Sequence, residues 1–122
     1  MSFDSEPQKR FHHIGLRAFE PRPNEDHVAA SKCWVTNPAH DANRIEWLRY
    51  APDSPIDPEF MNFPHIAYAV DELEPHLEGK DVYLAPFDVG DPPSFATVAF
   101  TRENGVFVEY MKIKPGRTWF NE

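Results

Sequence analysis

The sequence predicts one domain of the α+β class, because many short strand patterns accompany a single helical pattern. Seven stretches rich in β-branched or aromatic residues are typical of strands: 11–18, 31–37, 44–50, 64–70, 82–88, 95–102 and 106–113. Only "DELEPHLEGK", residues 71–80, has helical signals, with Asp71 as a cap, Pro75 in the first turn of a short helix and Gly79 at its end. A chain of 122 residues, 41% of them hydrophobic, is long enough for one core and short for two.

Charge and composition exclude several classes of function. The chain has 12 basic and 20 acidic residues and a net charge of −8, which repels nucleic acid and anionic membrane surfaces. No apolar run approaches the roughly 18 residues that span a bilayer, and "MSFDSEPQKR" lacks the apolar centre of a secretory signal. We therefore expect a cytoplasmic protein. Its single cysteine, Cys33, cannot form an internal disulfide and is predicted to be a buried strand residue.

A proline-rich segment, residues 51–64, divides the chain and is predicted to be a loop. A strand with a histidine begins each half: "HHIGLRA" and "PHIAYAV". Because neighbouring side chains of a strand point to opposite faces, His13 and not His12 shares a face with Gly15. His65 likewise shares a face with Ala67, and small neighbours leave room beside a histidine. The two halves hint at an internal duplication.

Two glutamates lie inside apolar strands, where a carboxylate is costly to bury unless it is paired or bound to a cation. Glu109 lies in "VFVEYM", and Glu46 lies in "RIEWLRY", where Arg44 and Arg49 offer salt-bridge partners. Imidazole and carboxylate ligands suit Zn, Ni, Co, Fe or Mn. Two histidines and two glutamates on four strands are therefore candidates for one divalent metal site. The remaining histidines are predicted to be surface or packing residues: His12, His27, His40 and His76.

The motifs "HHIGL", "IEWL", "PHIAYAVDEL" and "NGVFVEYM" resemble the vicinal oxygen chelate superfamily, which includes glyoxalase I, methylmalonyl-CoA epimerase, extradiol dioxygenases and bleomycin-resistance proteins. The resemblance implies paired βαβββ modules that form a curved mixed sheet around a divalent metal. It covers most of residues 11–113, with module one at about 11–52 and module two at about 64–113. Residues 1–10 are then an N-terminal extension, and residues 114–122 form a tail that covers a pocket, joins a dimer seam or hangs free.

By position, the resemblance implies the metal ligands His13, Glu46, His65 and Glu109, with Glu46 or Glu109 moving a proton during catalysis. Candidate substrate-binding residues lie on the same faces or nearby: Arg17, Tyr50, Phe87 and Phe107. His13 and Glu46 are 33 positions apart in the sequence, whereas His65 and Glu109 are 44 positions apart. The segment "FEPRPNEDHVAA" is too polar for the helix expected there, so the first module has a reduced or missing helix. The sheet surface left uncovered predicts a homodimer.

The resemblance leaves three functions open. The first is a glyoxalase or epimerase type enzyme, an isomerase or lyase in which the metal stabilises an enolate of a small oxygenated substrate. The second is an extradiol-type dioxygenase, with ferrous iron held by His13, His65 and Glu109 and with Glu46 in a salt bridge nearby. The third is a metal-free protein that binds a small molecule, as bleomycin-sequestering proteins do.

Overall fold

The computed structural model describes residues 8–90 and 92–122, which form one curled, mixed sheet of eight strands with a few short helices. This architecture agrees with the predicted α+β class. The strands are β1 (Arg10–Arg17), β2 (Asp26–Val28), β3 (Cys33–Val35), β4 (Ile45–Tyr50), β5 (His65–Ala69), β6 (Asp81–Val89), β7 (Ala96–Glu103) and β8 (Val106–Ile113). The helices are α1 (Pro58–Asn62), α2 (Glu74–Leu77) and a 3₁₀ turn at Pro38–His40.

The order of strands across the sheet is β2-β3-β4-β1-β5-β8-β7-β6. At the centre, β1 and β5 run antiparallel, and each has a parallel neighbour on its other side, β4 beside β1 and β8 beside β5. The outer strands add antiparallel pairs on both sides. The four central strands are therefore the ones that bear His13, Glu46, His65 and Glu109.

All seven predicted strands are present, with ends moved by a few residues. The eighth, β2, was not predicted, because three residues are too few to show an alternating pattern. It pairs with β3, where the ring of His27 lies 4.9 Å from that of Trp34, centroid to centroid.

The helix in 71–80 is short, as predicted, but its predicted N-cap is wrong. The helix begins two residues late, with Leu73 at the cap position and no side-chain cap, while Asp71 contacts Arg10 at 3.3 Å. Pro75 lies in the first turn, where its missing N–H leaves no hydrogen bond unmade. Gly79 follows the last turn with φ +72°, a conformation that favours glycine.

The prediction of an unbroken loop over residues 51–64 is wrong, because this segment contains α1. Asp57 caps the helix, with its Oδ1 accepting the N–H of Glu59 at 2.9 Å, and Pro58 occupies the first turn. Phe60 anchors the helix in the core. A five-residue helix shows little periodicity, so its capping signal was outweighed by the surrounding prolines.

Two apolar clusters lie on opposite faces of the sheet. The larger fills the concave face and includes Phe100, Phe107, Met111 and Trp119. The smaller, around Tyr110, packs under α2 on the outer face. Residues 18–25, all of them described, contain no helix. No helix in the described ranges has both the length and the apolar character needed to cross a membrane.

Candidate metal centre

Four neighbouring strands direct one acidic or imidazole side chain each into the concave face. In the sheet register, Gly15 of β1 lies between Glu46 of β4 and His65 of β5. One step along, Ala67 of β5 lies between His13 of β1 and Glu109 of β8. Large ligand-type side chains thus alternate with the smallest residues on one face.

Gly15 makes room for a ligand ring directly above the backbone. A Cβ at this position would lie 2.0 Å from Cε1 of His65 and 2.5 Å from both ring nitrogens. The imidazole therefore occupies the space that any other residue would need for its side chain. Ala67, which lies between His13 and Glu109 as Gly15 lies between Glu46 and His65, is fully buried.

The ligand atoms of the four side chains converge on one point. Nε2 of His13 lies 3.3 Å from Oε1 of Glu46, from Oε1 of Glu109 and from Nε2 of His65. Nε2 of His65 lies 3.2 Å from Oε1 of Glu109 and 3.6 Å from Oε1 of Glu46. All four ligand atoms lie within 4.8 Å of one another, so the cluster could hold a metal ion.

The cluster is buried, and its charges compensate one another. Burial lowers the pKa of His13, but the carboxylates of Glu46 and Glu109 outweigh burial and raise this pKa to about 10. The pKa of His65 is also raised, because hydrogen bonds to the same carboxylates exceed the effect of burial. Protons on the imidazoles therefore hold the carboxylates together when no cation does so.

Both carboxyl groups ionise more readily than usual despite their burial. Burial raises the pKa of Glu109, but hydrogen bonds from His13 and His65 lower it to about 2. The pKa of Glu46 is also lowered, since the charge of His13 exceeds the cost of burial. Two imidazoles and two carboxylates can balance the charge of one divalent cation when the imidazoles are neutral.

The predicted orientation of His12, away from His13, is wrong. The register between β1 and β5 shifts between Phe11 and His13, which marks a β-bulge, and a bulge interrupts the alternation of faces. Nδ1 of His12 lies 2.8 Å from Nδ1 of His13, so one of these nitrogens donates a hydrogen bond to the other. Burial, with His13 and Arg44, lowers the pKa of His12 to about 4. A neutral His12 therefore orients the His13 ring with Nε2 toward the cluster.

Trp119, in the C-terminal tail, is the main site neighbour that was not predicted. Its ring stacks on His12 at 6.2 Å and meets His13 edge to face at 6.4 Å. Its Nε1 donates to Oδ2 of Asp26 at 3.1 Å, and Asn37 and His40 bind the side chain of Glu122. Of the three alternatives for the tail, the described residues show a tail that packs over the concave face.

A cavity of about 520 Å³ opens above the ligand cluster, with Glu46, His65 and Glu109 in its lining. Of the predicted substrate-binding residues, Tyr50 and Phe87 line the cavity. Arg17 lies elsewhere, donating to Oδ1 of Asn62 at 2.6 Å, and its guanidinium carbon is 6.0 Å from the centre of the Tyr50 ring. Phe107 is buried in the core, against Phe60 and Tyr83.

Cys33 is buried in β3, as predicted, and its sulfur lies at the cavity wall. Burial raises the pKa of the thiol to about 11, although Ser31 Oγ lies 3.0 Å from Sγ and opposes this rise. A thiol with so high a pKa is a poor nucleophile near pH 7.

No protein-family model matches the chain, and no curated protein matches its sequence. A crystal structure of a hypothetical protein from Bacillus halodurans C-125 has a similar fold, with a TM-score of 0.66 and 17% sequence identity. The match covers 91% of this chain and 99% of the other. At this level of identity the similarity concerns the fold.

Proposed function

We propose that the protein is a metal-dependent enzyme of the glyoxalase or epimerase type, an isomerase or lyase acting on a small oxygenated substrate. The observation that carries this proposal is the convergence of four buried side chains, His13, Glu46, His65 and Glu109, of which the last three line a cavity. Buried ionisable groups with strongly shifted pKa values in a cleft are typical of functional sites.

The spacing of the four ligand atoms fits a first-row divalent ion. Donor atoms about 2.0–2.1 Å from a tetrahedral metal stand about 3.3 Å from one another. Five of the six distances between the four ligand atoms run from 3.2 to 3.6 Å, and the sixth, between the carboxylates of Glu46 and Glu109, is no more than 4.8 Å. The donor set, two imidazoles and two carboxylates, suits Zn, Ni, Co, Fe or Mn.

We also propose that the chain consists of paired βαβββ modules and belongs with the vicinal oxygen chelate proteins. The strand order supports this, because β2-β3-β4-β1 and β6-β7-β8-β5 repeat the same arrangement on either side of the central pair. The site supports it as well, since His13 and Glu46 occupy the places in one half that His65 and Glu109 occupy in the other. In this description, residues 18–25 stand where the first module has lost its helix.

In this proposal, the side chains of the site have different roles. A bound divalent ion would supply Lewis-acid stabilisation of negative charge on a substrate oxygen. Glu46 and Glu109 line the cavity, so either carboxylate is placed to accept a proton from a substrate carbon next to a carbonyl. His13, held by His12, keeps its Nε2 directed at the cluster. The apolar walls exclude water from the carbon that exchanges its proton.

An extradiol-type iron dioxygenase is the second candidate, because aromatic side chains line the cavity next to His65. Iron with oxygen uptake on catechols supports this candidate. Solvent deuterium entering a carbon beside a carbonyl, without oxygen uptake, supports the isomerase or lyase. A metal-free binding protein is the third candidate, and a protein without stoichiometric metal supports it.

The proposal is tested by metal analysis of the full chain, purified without a chelator or a metal affinity column. We expect about one divalent ion per chain, since the four ligands are already gathered. The variants His65→Ala and Glu109→Ala should each retain less than about a tenth of this metal, because each removes a ligand.

His40→Ala is the matched control, because this histidine lies on the surface beside Glu122 and outside the cluster. This variant should keep the metal content of the unaltered protein. A native chain that binds no Zn, Ni, Co, Fe or Mn, even after addition of the salts at pH 7.5, contradicts the proposal.

A further inference from the structure

We infer that the cavity wall beyond the ligand cluster accepts an uncharged ring and rejects an anionic group, a substrate class that rests on the proposed function and narrows it. The lining of the cavity carries this inference through its chemistry, its charge and its continuity with the ligand cluster.

The wall of the cavity is apolar right up to the candidate metal ligands. The ring of Phe60 stacks on the imidazole of His65 with centroids 5.5 Å apart, and Phe100 meets the same imidazole edge to face at 5.5 Å. Val98 and Met111, both almost completely buried, extend this wall. The part of a ligand next to its metal-binding oxygens therefore meets hydrocarbon and aromatic surface.

Lysine and arginine side chains are missing from the cavity wall, as far as the structure describes it. Among the described residues, no lysine or arginine lines the cavity, and residues 1–7 and 91 contain neither type. Apart from the ligand cluster and Cys33, three ionisable side chains line the cavity. His27 and Asp88 are exposed, and burial raises the pKa of Tyr50, so this phenol is neutral at pH 7. A phosphate, carboxylate or nucleotide group held against this wall, away from the candidate metal ligands, would lose hydration without gaining a lysine or arginine partner.

The tail and the size of the cavity limit the ligand further. Trp119 and Phe120 close one side, packed on Phe95 with centroids 5.2 and 4.8 Å away. A cavity of about 520 Å³ lies within the range of sites that enclose a drug-sized molecule. One or two rings fit this space.

Hydroxamic acids that share one chelating head test the inference on metal-loaded protein. Acetohydroxamic acid has no ring, benzohydroxamic acid adds an uncharged ring, and terephthalic monohydroxamic acid adds a ring with a carboxylate. Calorimetric titration at pH 7 should show that the uncharged ring strengthens binding by roughly tenfold or more, because the ring leaves water for apolar surface. The added carboxylate should abolish that gain. Equal affinities, or tightest binding of the carboxylate, overturn the inference.

A second pair of probes needs no metal and separates the two proposals. Metal-free protein should bind 2-naphthol more tightly than 2-naphthoate, measured by ligand line broadening in NMR spectra. If the chain holds no metal but prefers 2-naphthol, the enzymatic proposal fails and the ligand class stands. If the chain holds metal and shows no preference, the ligand class fails and the metal site stands.

A charge placed on the cavity wall provides a gain-of-binding test. Phe87 lines the cavity and is 42% exposed, so Phe87→Arg should fold. This variant should bind terephthalic monohydroxamic acid at least about as well as benzohydroxamic acid, because the guanidinium supplies the missing partner. Phe63→Arg is the matched control, since Phe63 is 58% exposed and outside the lining. An unchanged preference in Phe87→Arg, or the same change in Phe63→Arg, overturns the inference.

Discussion

Two small residues, Gly15 and Ala67, decide whether the four candidate ligands can meet. Each lies between two ligand-type side chains in neighbouring strands, Gly15 between Glu46 and His65. A larger side chain at either position would fill the space in which the imidazoles turn toward the cluster. The small residues are therefore as important to the site as the groups that bind.

Gly15→Ala should reduce metal affinity by roughly tenfold to a hundredfold, the range found when ligand orientation is disturbed. The reason is steric, since the new Cβ would lie 2.0 Å from Cε1 of His65 and the ring must move. The measurement is competitive titration of zinc against a chelating dye at fixed pH. Circular dichroism of the metal-free variant serves as the control for folding, and an unchanged affinity contradicts the role given to Gly15.

Residue patterns also explain one success and one failure of prediction. Alternation correctly assigned Glu109 to the face of Phe107 and Met111, because β8 is regular. The same rule failed for His12, because a bulge in β1 breaks the period of two. A bulge depends on the pairing of two strands, so the local sequence of one strand does not reveal it.

Helix α2 covers the outer face of the second half and rests on a polar network at its base. Tyr110 and Thr101 donate hydrogen bonds to Oε2 of Glu103 at 2.5 and 2.6 Å, and Lys80 Nζ lies 3.3 Å from Oε1. Burial raises the pKa of Glu103, but these donors outweigh it and hold the pKa below its usual value. The ring of His76, in α2, stacks on Tyr110 with centroids 5.1 Å apart.

The free energy of unfolding should depend on pH through the ionisation of Glu103 in this network. Because the pKa of Glu103 is lowered on folding, its contribution is complete above about pH 4.5 and is lost as pH falls through the folded pKa. Glu103→Gln should lower the free energy of unfolding by about 1–3 kcal/mol at pH 7, and the loss should shrink toward pH 3. Urea denaturation at several pH values measures both effects.

Glu72→Gln is the matched control for this prediction. Glu72 forms an exposed pair with Lys112 at 3.1 Å, so its replacement should change the unfolding free energy by less than about 0.5 kcal/mol. A loss in Glu103→Gln that stays constant between pH 3 and pH 7 contradicts an ionised, hydrogen-bonded Glu103.

The two halves of the molecule differ in what covers the outer face of the sheet. In the first half there is no helix between β1 and β2, and arginine side chains cover the tryptophans. The guanidinium of Arg22 lies 3.8 Å from the ring centre of Trp47, and that of Arg49 lies 4.3 Å from that of Trp34. Both tryptophans stay partly exposed. The homodimer therefore stays a prediction, and this face, with its partly exposed tryptophans, is where we expect a second copy to pack.

One chain has a mass of 14.1 kDa. Light scattering at micromolar concentration should therefore give twice this mass. Trp47→Glu should shift the protein toward a monomer, because a carboxylate would be buried against apolar surface in the dimer. Val82→Glu, at an exposed position of the edge strand β6, should remain dimeric and serves as the control. A monomeric native protein contradicts the predicted dimer.

Strand periodicity and residue type were enough to predict the α+β class and the neighbours that share a face with His13, His65 or Glu109 within each strand, because both follow from local backbone geometry. The meeting of these three side chains and Glu46 was implied only by the resemblance to the vicinal oxygen chelate superfamily. The α1 helix, the bulge that turns His12 and the apolar cavity closed by Trp119 were not predictable in this way. The bulge and the cavity depend on contacts between segments far apart in the chain, whereas α1 has a local cap but is too short to show a periodicity. The tail is the clearest case. Its burial involves contacts of Trp119 with Asp26 and of Glu122 with His40, which are more than 80 residues apart in the chain.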